Sequence, residues 1–303
     1  MVGSLTSILS HPFMRNAFLA GTGIAASCGL VGYFVVLRGQ VFTGDALSHV
    51  AFTGALAALA AGFDLRFGLF GATVVVAMGM GLLGRSGRAD DVVIGSVFAW
   101  MLGLGVLFLS IYTAGSSGAN GTAGVSVLFG SILGLSAGSA QTAAAIGLAV
   151  CAGILLMARP LLFSSVDEGI AAAAGVPVRI IGIVFLALVG VTAAETTQAV
   201  GALLLLGLLA APAAAAHHLT ARPFRGMALS VGLAVLAMWA GLTMSYLFSV
   251  TPPSFSVVAV ATVIYAAAET RGTVLRVFTR REVGSTSGPG APRSELAHHN
   301  EHA

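Results

Sequence analysis

Long apolar runs, separated by short polar interruptions, recur along the whole 303-residue chain at about 16–37, 45–63, 67–84, 91–113, 139–158, 179–198, 199–216, 226–248 and 254–268. Each is close to the length that a bilayer core requires of a helix, and none shows the period-two alternation of a membrane strand. The pattern predicts an all-α polytopic membrane protein of about nine transmembrane helices. A tenth apolar stretch, 120–136, is broken by Gly and Ser and reads as a short re-entrant or interfacial helix. The predicted layout is an outer N-terminal segment over 1–15, a transmembrane domain over 16–272 and a disordered cytoplasmic tail over 273–303. Two adjoining spans meet at 198/199, so Glu195-Thr196-Thr197-Gln198 is expected to form a tight outer turn. Pro212 is expected to kink the helix that follows, since proline removes one backbone hydrogen bond.

Composition agrees with that reading. Hydrophobic residues make up 57% of the chain and charged ones 8%, against roughly a quarter in soluble domains. Lysine is absent, and the 14 cationic side chains are all Arg. With the N-terminus outside and nine crossings, only Arg15 and Arg66 lie outside and the other twelve lie inside, which fits the positive-inside rule. The N-terminus is therefore expected out and the C-terminus in. The 40 glycines imply closely approaching helices. Cys28 and Cys151 fall within spans and read as packing residues. Scattered Arg without interleaved aromatics gives no sign of nucleic-acid binding.

The candidate chemistry begins at Gly39–Gly54, GQVFTGDALSHVAFTG. Asp45 and His49 stand four residues apart, on one helical face one turn apart. Ionisable groups inside a membrane are costly and default to function, and a carboxylate with an imidazole is half of a tetrahedral metal site. The plainer reading makes Asp45 an N-terminal cap. Glu195 reads either as a wet residue of the outer turn or as an entrance ligand. His217 and His218 read either as an exit ligand or as interfacial side chains that snorkel. Between the fifth and sixth spans, FSSVDEGIAAAAGVPV (163–178) reads as a two-turn helix capped by Ser164 or Ser165. Asp167 and Glu168 lie in its first turn, and Gly175 with Pro177 ends it. A cytoplasmic partner gripping this helix as a lever and an ordinary connecting loop are both open. No G-x-x-x-x-G-K-[ST] phosphate loop occurs, so the chain is not expected to hydrolyse ATP itself.

Three of these stretches, GDALSHVAFTG, the loop carrying Asp167 and Gly175, and VGALLLLGLLAAPAAAA (200–216), together resemble the permease subunits of zinc/manganese ABC importers. They stand in that family's order, and the resemblance covers roughly 12–270. It implies a type II importer fold and two copies around a two-fold axis in the plasma membrane. Asp45 and His49 of each copy would line the path of a transported zinc or manganese ion. It also implies that Asp167, Glu168, Ala171 and Gly175 form a coupling helix docked on a separate ATPase. Gly201 and Pro212 belong to the family's long kinked helix, and an extracytoplasmic metal-binding protein would deliver the ion. No permanently bound cofactor is implied. The chain departs from the coupling pattern Asp-Pro-Glu-x-Ala, having Gly169 and no proline there. A gradient-driven secondary transporter and an ABC permease for a metal chelate are the competing readings.

Overall fold

The computed structural model describes residues 11–84, 87–114, 130, 132–202, 205–248 and 251–286, with side chains described as far as Arg271. Among the described residues the chain is helical throughout. The elements are α1 (Pro12–Leu37), α2 (Val41–Ala60), α3 (Leu65–Leu83), α4 (Asp91–Ala114), α5 (Ala137–Leu156), α6 (Ala158–Val166), α7 (Glu168–Ala173), α8 (Val178–Ala199), α9 (Leu205–Leu219), α10 (Pro223–Leu247) and α11 (Pro253–Thr286). A single 3₁₀ turn, Ile132–Gly134, precedes α5.

Each of the nine apolar runs has become a helix, and seven of these are long and apolar enough to cross a membrane. The two that fall short have separate reasons. Asp45 and His49 lower the hydropathy of the 20-residue α2, and α9 has only 15 residues. At 1.5 Å per residue α9 spans about 22 Å, less than the ~30 Å hydrocarbon core. Val200 and Ala202, which follow α8, are buried, as backbone outside a helix must be at membrane depth. Of 120–136, residues 120–129 and 131 lie outside the described residues, as do Arg85 and the histidines of the C-terminal tail. The last helix runs on to Thr286, past the position 273 at which a tail was expected to begin.

Small residues set the packing. α1 lies at the centre, with Phe34 meeting Phe185 of α8 edge-on at 6.3 Å. Gly23 lies against Ala144 of α5, and Gly29 against Ser230 of α10, whose Oγ donates to the Gly29 carbonyl at 2.6 Å. Gly54 of α2 and Gly68 of α3 abut in the same way. Lipid is as apolar as a leucine side chain, so membrane helices associate through such close backbone contact.

The expected outer turn at 195–198 is a correction. Those residues form the last turns of α8, and the chain reverses only at Gly201, with φ +101°. Their polarity suggested a loop, but Thr192 and Thr196 donate to carbonyls four residues back, at 2.9 and 2.7 Å. That bonding lets polar residues continue a buried helix.

Candidate functional site

Asp45 lies in the interior of α2, five residues in, with Gln40 at the cap position. It does not cap the helix, contrary to the plainer sequence reading. Its carboxylate lines a cavity of about 420 Å³ between α2 and α4, shared with Phe42, Asp91, Ile94, Gly95 and Phe98. One turn on, the His49 ring stands edge-to-face against Phe98, with centroids 5.0 Å apart and planes at 87°. An adjoining face of α2 is wedged into the bundle, with Gly44 against Leu209 of α9. That wedge fixes the rotation of the helix, so Asp45 and His49 must both point toward α4.

Asp91, in the first turn of α4, joins Asp45 in lining this cavity. Sequence reasoning passed over it. The signal available was the Asp90–Asp91 pair opening an apolar span, which reads simply as a favourable charge at a helix N-terminus. Among the described residues no group of three His, Cys, Asp or Glu side chains is close enough to hold a metal ion. Asp45 and His49 thus present one carboxylate and one imidazole, one turn apart on α2.

The other candidates stand elsewhere. His217 stacks on Tyr33 at 4.3 Å, and its Nε2 lies 3.0 Å from the Tyr33 carbonyl oxygen. His218 lies 2.8 Å from a Glu269 carboxylate oxygen. Both rings are engaged with neighbouring helices. Glu195 is 4% exposed, so the wet-turn reading is corrected: burial within α8 keeps it from bulk water. Pro212 is buried inside α9, where its missing N–H leaves the Leu208 carbonyl without its helical donor.

The 163–178 segment holds the end of α6 and the whole of the short α7. Ser164 and Ser165 end α6 and bond back to the Leu161 carbonyl. The cap of α7 is Asp167, whose Oδ1 accepts from Ile170 N at 2.9 Å, which corrects the expected serine cap. Helix α7 can thus start without the proline of the family pattern. Gly175, with φ +83°, ends it. Glu168 meets Arg88 of the α3–α4 connection at 2.7 Å, as an ion pair without the alignment of a hydrogen bond. Ala171 faces inward, fully buried, while Val166 and Ile170 are 81% and 59% exposed. Arg38, buried at the end of α1, lies over the Phe185 ring at 5.2 Å and reaches Ser164 at 3.5 Å. Sequence reasoning saw it only as one inside charge among many.

A bundle in which seven helices are long and apolar enough to cross a membrane defines a multi-pass membrane protein. The chain matches the ABC 3 transport family over residues 10–271, and it belongs to that family. It is a multi-pass protein of the plasma membrane. It is 31% identical to the manganese transport system membrane protein MntC of Halalkalibacterium halodurans, across 86% of this chain and 88% of that protein. A probable iron transport system membrane protein of Haemophilus influenzae is 29% identical, across 79% and 87%. Among solved structures, PsaBC from Streptococcus pneumoniae in complex with Fab matches with a TM-score of 0.76 at 24% identity, covering 88% of this chain and 95% of that one. That likeness is one of fold.

Proposed function

We propose that this chain is the membrane subunit of an ATP-driven importer of a divalent transition-metal ion, manganese or zinc. Two copies meet so that Asp45 and His49 of each face a shared axis, and two carboxylates with two imidazoles receive the ion. The observation that carries this reading is the Asp45–His49 pair itself. It is held on one face of α2, and no third ligand completes it among the described residues. Mixed nitrogen and oxygen donors accept either ion. Manganese transport in the name of a relative supports that choice. Iron transport in the name of another makes Fe²⁺ a necessary comparison. Membership of an ABC family supports ATP-driven over gradient-driven import.

The rest of the reading follows the arginines. With nine crossings, N-terminus out and C-terminus in, the α6–α7 segment faces the cytoplasm. A separate ATPase then grips the α6–α7 segment through Val166 and Ile170. An extracytoplasmic binding protein delivers the ion to the opposite face. Glu195, which lines another cavity, and His217, which is stacked on Tyr33, are left outside the proposed set.

The test is ion-stimulated ATP hydrolysis by the permease reconstituted with its ATPase and binding protein, screened with Mn²⁺, Zn²⁺ and Fe²⁺. Stimulation by one of these, reduced tenfold or more in Asp45→Ala and His49→Ala proteins that still assemble, is the expected result. Unchanged stimulation in both variants would remove the site.

A further inference from the structure

A second cavity lies at the end of the bundle far from Asp45. It sits where α3 and α5 begin and α8 ends, and it encloses about 460 Å³. Asp45 is near the start of α2, and about 20 Å of that helix separates it from the loop into α3. The cavity walls are mostly apolar, among them Phe67, Phe70, Leu135 and Ile146. Glu195 lies within, 4% exposed, and its Oε2 has no hydrogen-bond partner among the described residues. Arg66 crosses the mouth, its Nη2 donating to Ser139 Oγ at 2.7 Å and so tying α3 to α5. Asp64 is already committed, since its Oδ1 caps α3 by accepting from Arg66 N at 2.8 Å.

A carboxylate enclosed by membrane helices calls for a cationic partner. Arg66 does not supply it directly, because no ion pair joins the two side chains among the described residues. Charge then selects the ligand. Glu195 and Arg66 sum to zero, so a divalent ion would leave two positive charges facing only neutral oxygens from Gln198, Ser139 and Thr142. A group with one ammonium and one oxyanion leaves the cavity neutral, with the ammonium at Glu195 and the oxyanion at Arg66. Position narrows the source. The mouth is at the ends of membrane helices, its lip Phe67 is 78% exposed, and the space a side chain would fill at Gly71 is open. That flank suits acyl chains entering sideways from the bilayer.

We propose that this cavity is a binding site for the headgroup of an aminophospholipid, its primary ammonium on Glu195 and its phosphate on Arg66. The volume is within the usual range for small-ligand pockets, and Arg pairs with phosphate through two parallel hydrogen bonds. The site stands apart from the metal reading, since it shares no residue with Asp45 and His49.

The test uses the full chain in detergent, with native mass spectrometry of lipid occupancy and thermal melting. Phosphatidylethanolamine is expected to be retained at least tenfold more than phosphatidylcholine, whose quaternary nitrogen has no N–H for Glu195. The same excess is expected over phosphatidylglycerol, which has no ammonium. Glu195→Gln abolishes the preference among the three lipids. Arg66→Gln, at an exposed position, weakens retention of all of them. Equal retention of the three lipids, or a preference unaffected by Glu195→Gln, overturns the proposal. So does selective binding of free phosphoethanolamine without retention of the lipid. Mn²⁺ titration of the Asp45→Ala/His49→Ala protein is the last arm: binding that persists there and is lost with Glu195→Gln would make the cavity a cation station instead.

Discussion

Gly32 sits where α1 crosses α9, and a Cβ built there would fall on the Leu209 carbonyl oxygen, with Ala213 3.4 Å away. A backbone oxygen cannot swing aside as a side chain can, so Gly32→Ala must push the two helices apart. Overpacking of this kind costs about 1–3 kcal/mol. The purified protein is expected to melt at a lower temperature. Gly79→Ala, where nothing lies within 4 Å of the added carbon, is the control and should be neutral or slightly stabilising. Equal effects from the two changes would mean that α1 and α9 do not cross so closely. Residue-scale chemistry was legible where charge interrupts grease with a helical period. Asp45 and His49 announce themselves in this way, and the structure puts both beside α4. The depth of Glu195 was not legible. Its neighbours Thr196, Thr197 and Gln198 look like a wet turn, and only the fold reveals that Thr196 meets Cys28 at 3.0 Å inside the bundle.

At the scale of elements, the α6–α7 segment divides into an inward and an outward face, and the division predicts two different outcomes. Ala171 is fully buried, so Ala171→Leu should lower the melting temperature. Ile170 is 59% exposed, so Ile170→Asp should leave melting unchanged. If the ATPase docks on this face as proposed, the change should also reduce its co-purification at least tenfold, because an apolar contact becomes a charge. A stable complex with the Ile170→Asp protein would show that the ATPase grips another face. The Arg88–Glu168 pair links the same segment to the α3–α4 connection. Glu168→Arg should uncouple ATP hydrolysis from uptake, and Arg88→Glu in the same protein should restore part of it. Failure of the second change to rescue the first would make the pair incidental. Pattern alone placed every long helix to within a few residues at most ends. It failed where α8 ends, because the polar run 195–198 that marked a turn lies inside the helix. What ends α8 is the positive φ of Gly201, a backbone property that an apolar plot does not register.

At the scale of the whole molecule, the proposed metal site needs two copies of the chain. Asp45 and His49 give one chain a carboxylate and an imidazole, and among the described residues Asp91 is the only further acid lining the Asp45 cavity. Closed two-fold symmetry would bring identical half-sites face to face, so the proposed set would exist once per pair of chains. This differs in kind from a transporter in which each chain holds its own ion, and mixed assemblies separate the two. Wild-type and Asp45→Ala/His49→Ala chains carrying different affinity tags can be co-expressed and the mixed pairs isolated. A shared site loses half of its ligands in every mixed pair. Ligands of one ion act together, so metal-stimulated ATP hydrolysis should fall tenfold or more rather than by half. Independent sites would leave the untouched copy working at full rate, and a mixed pair retaining half of the wild-type stimulation would return the ion to the single chain.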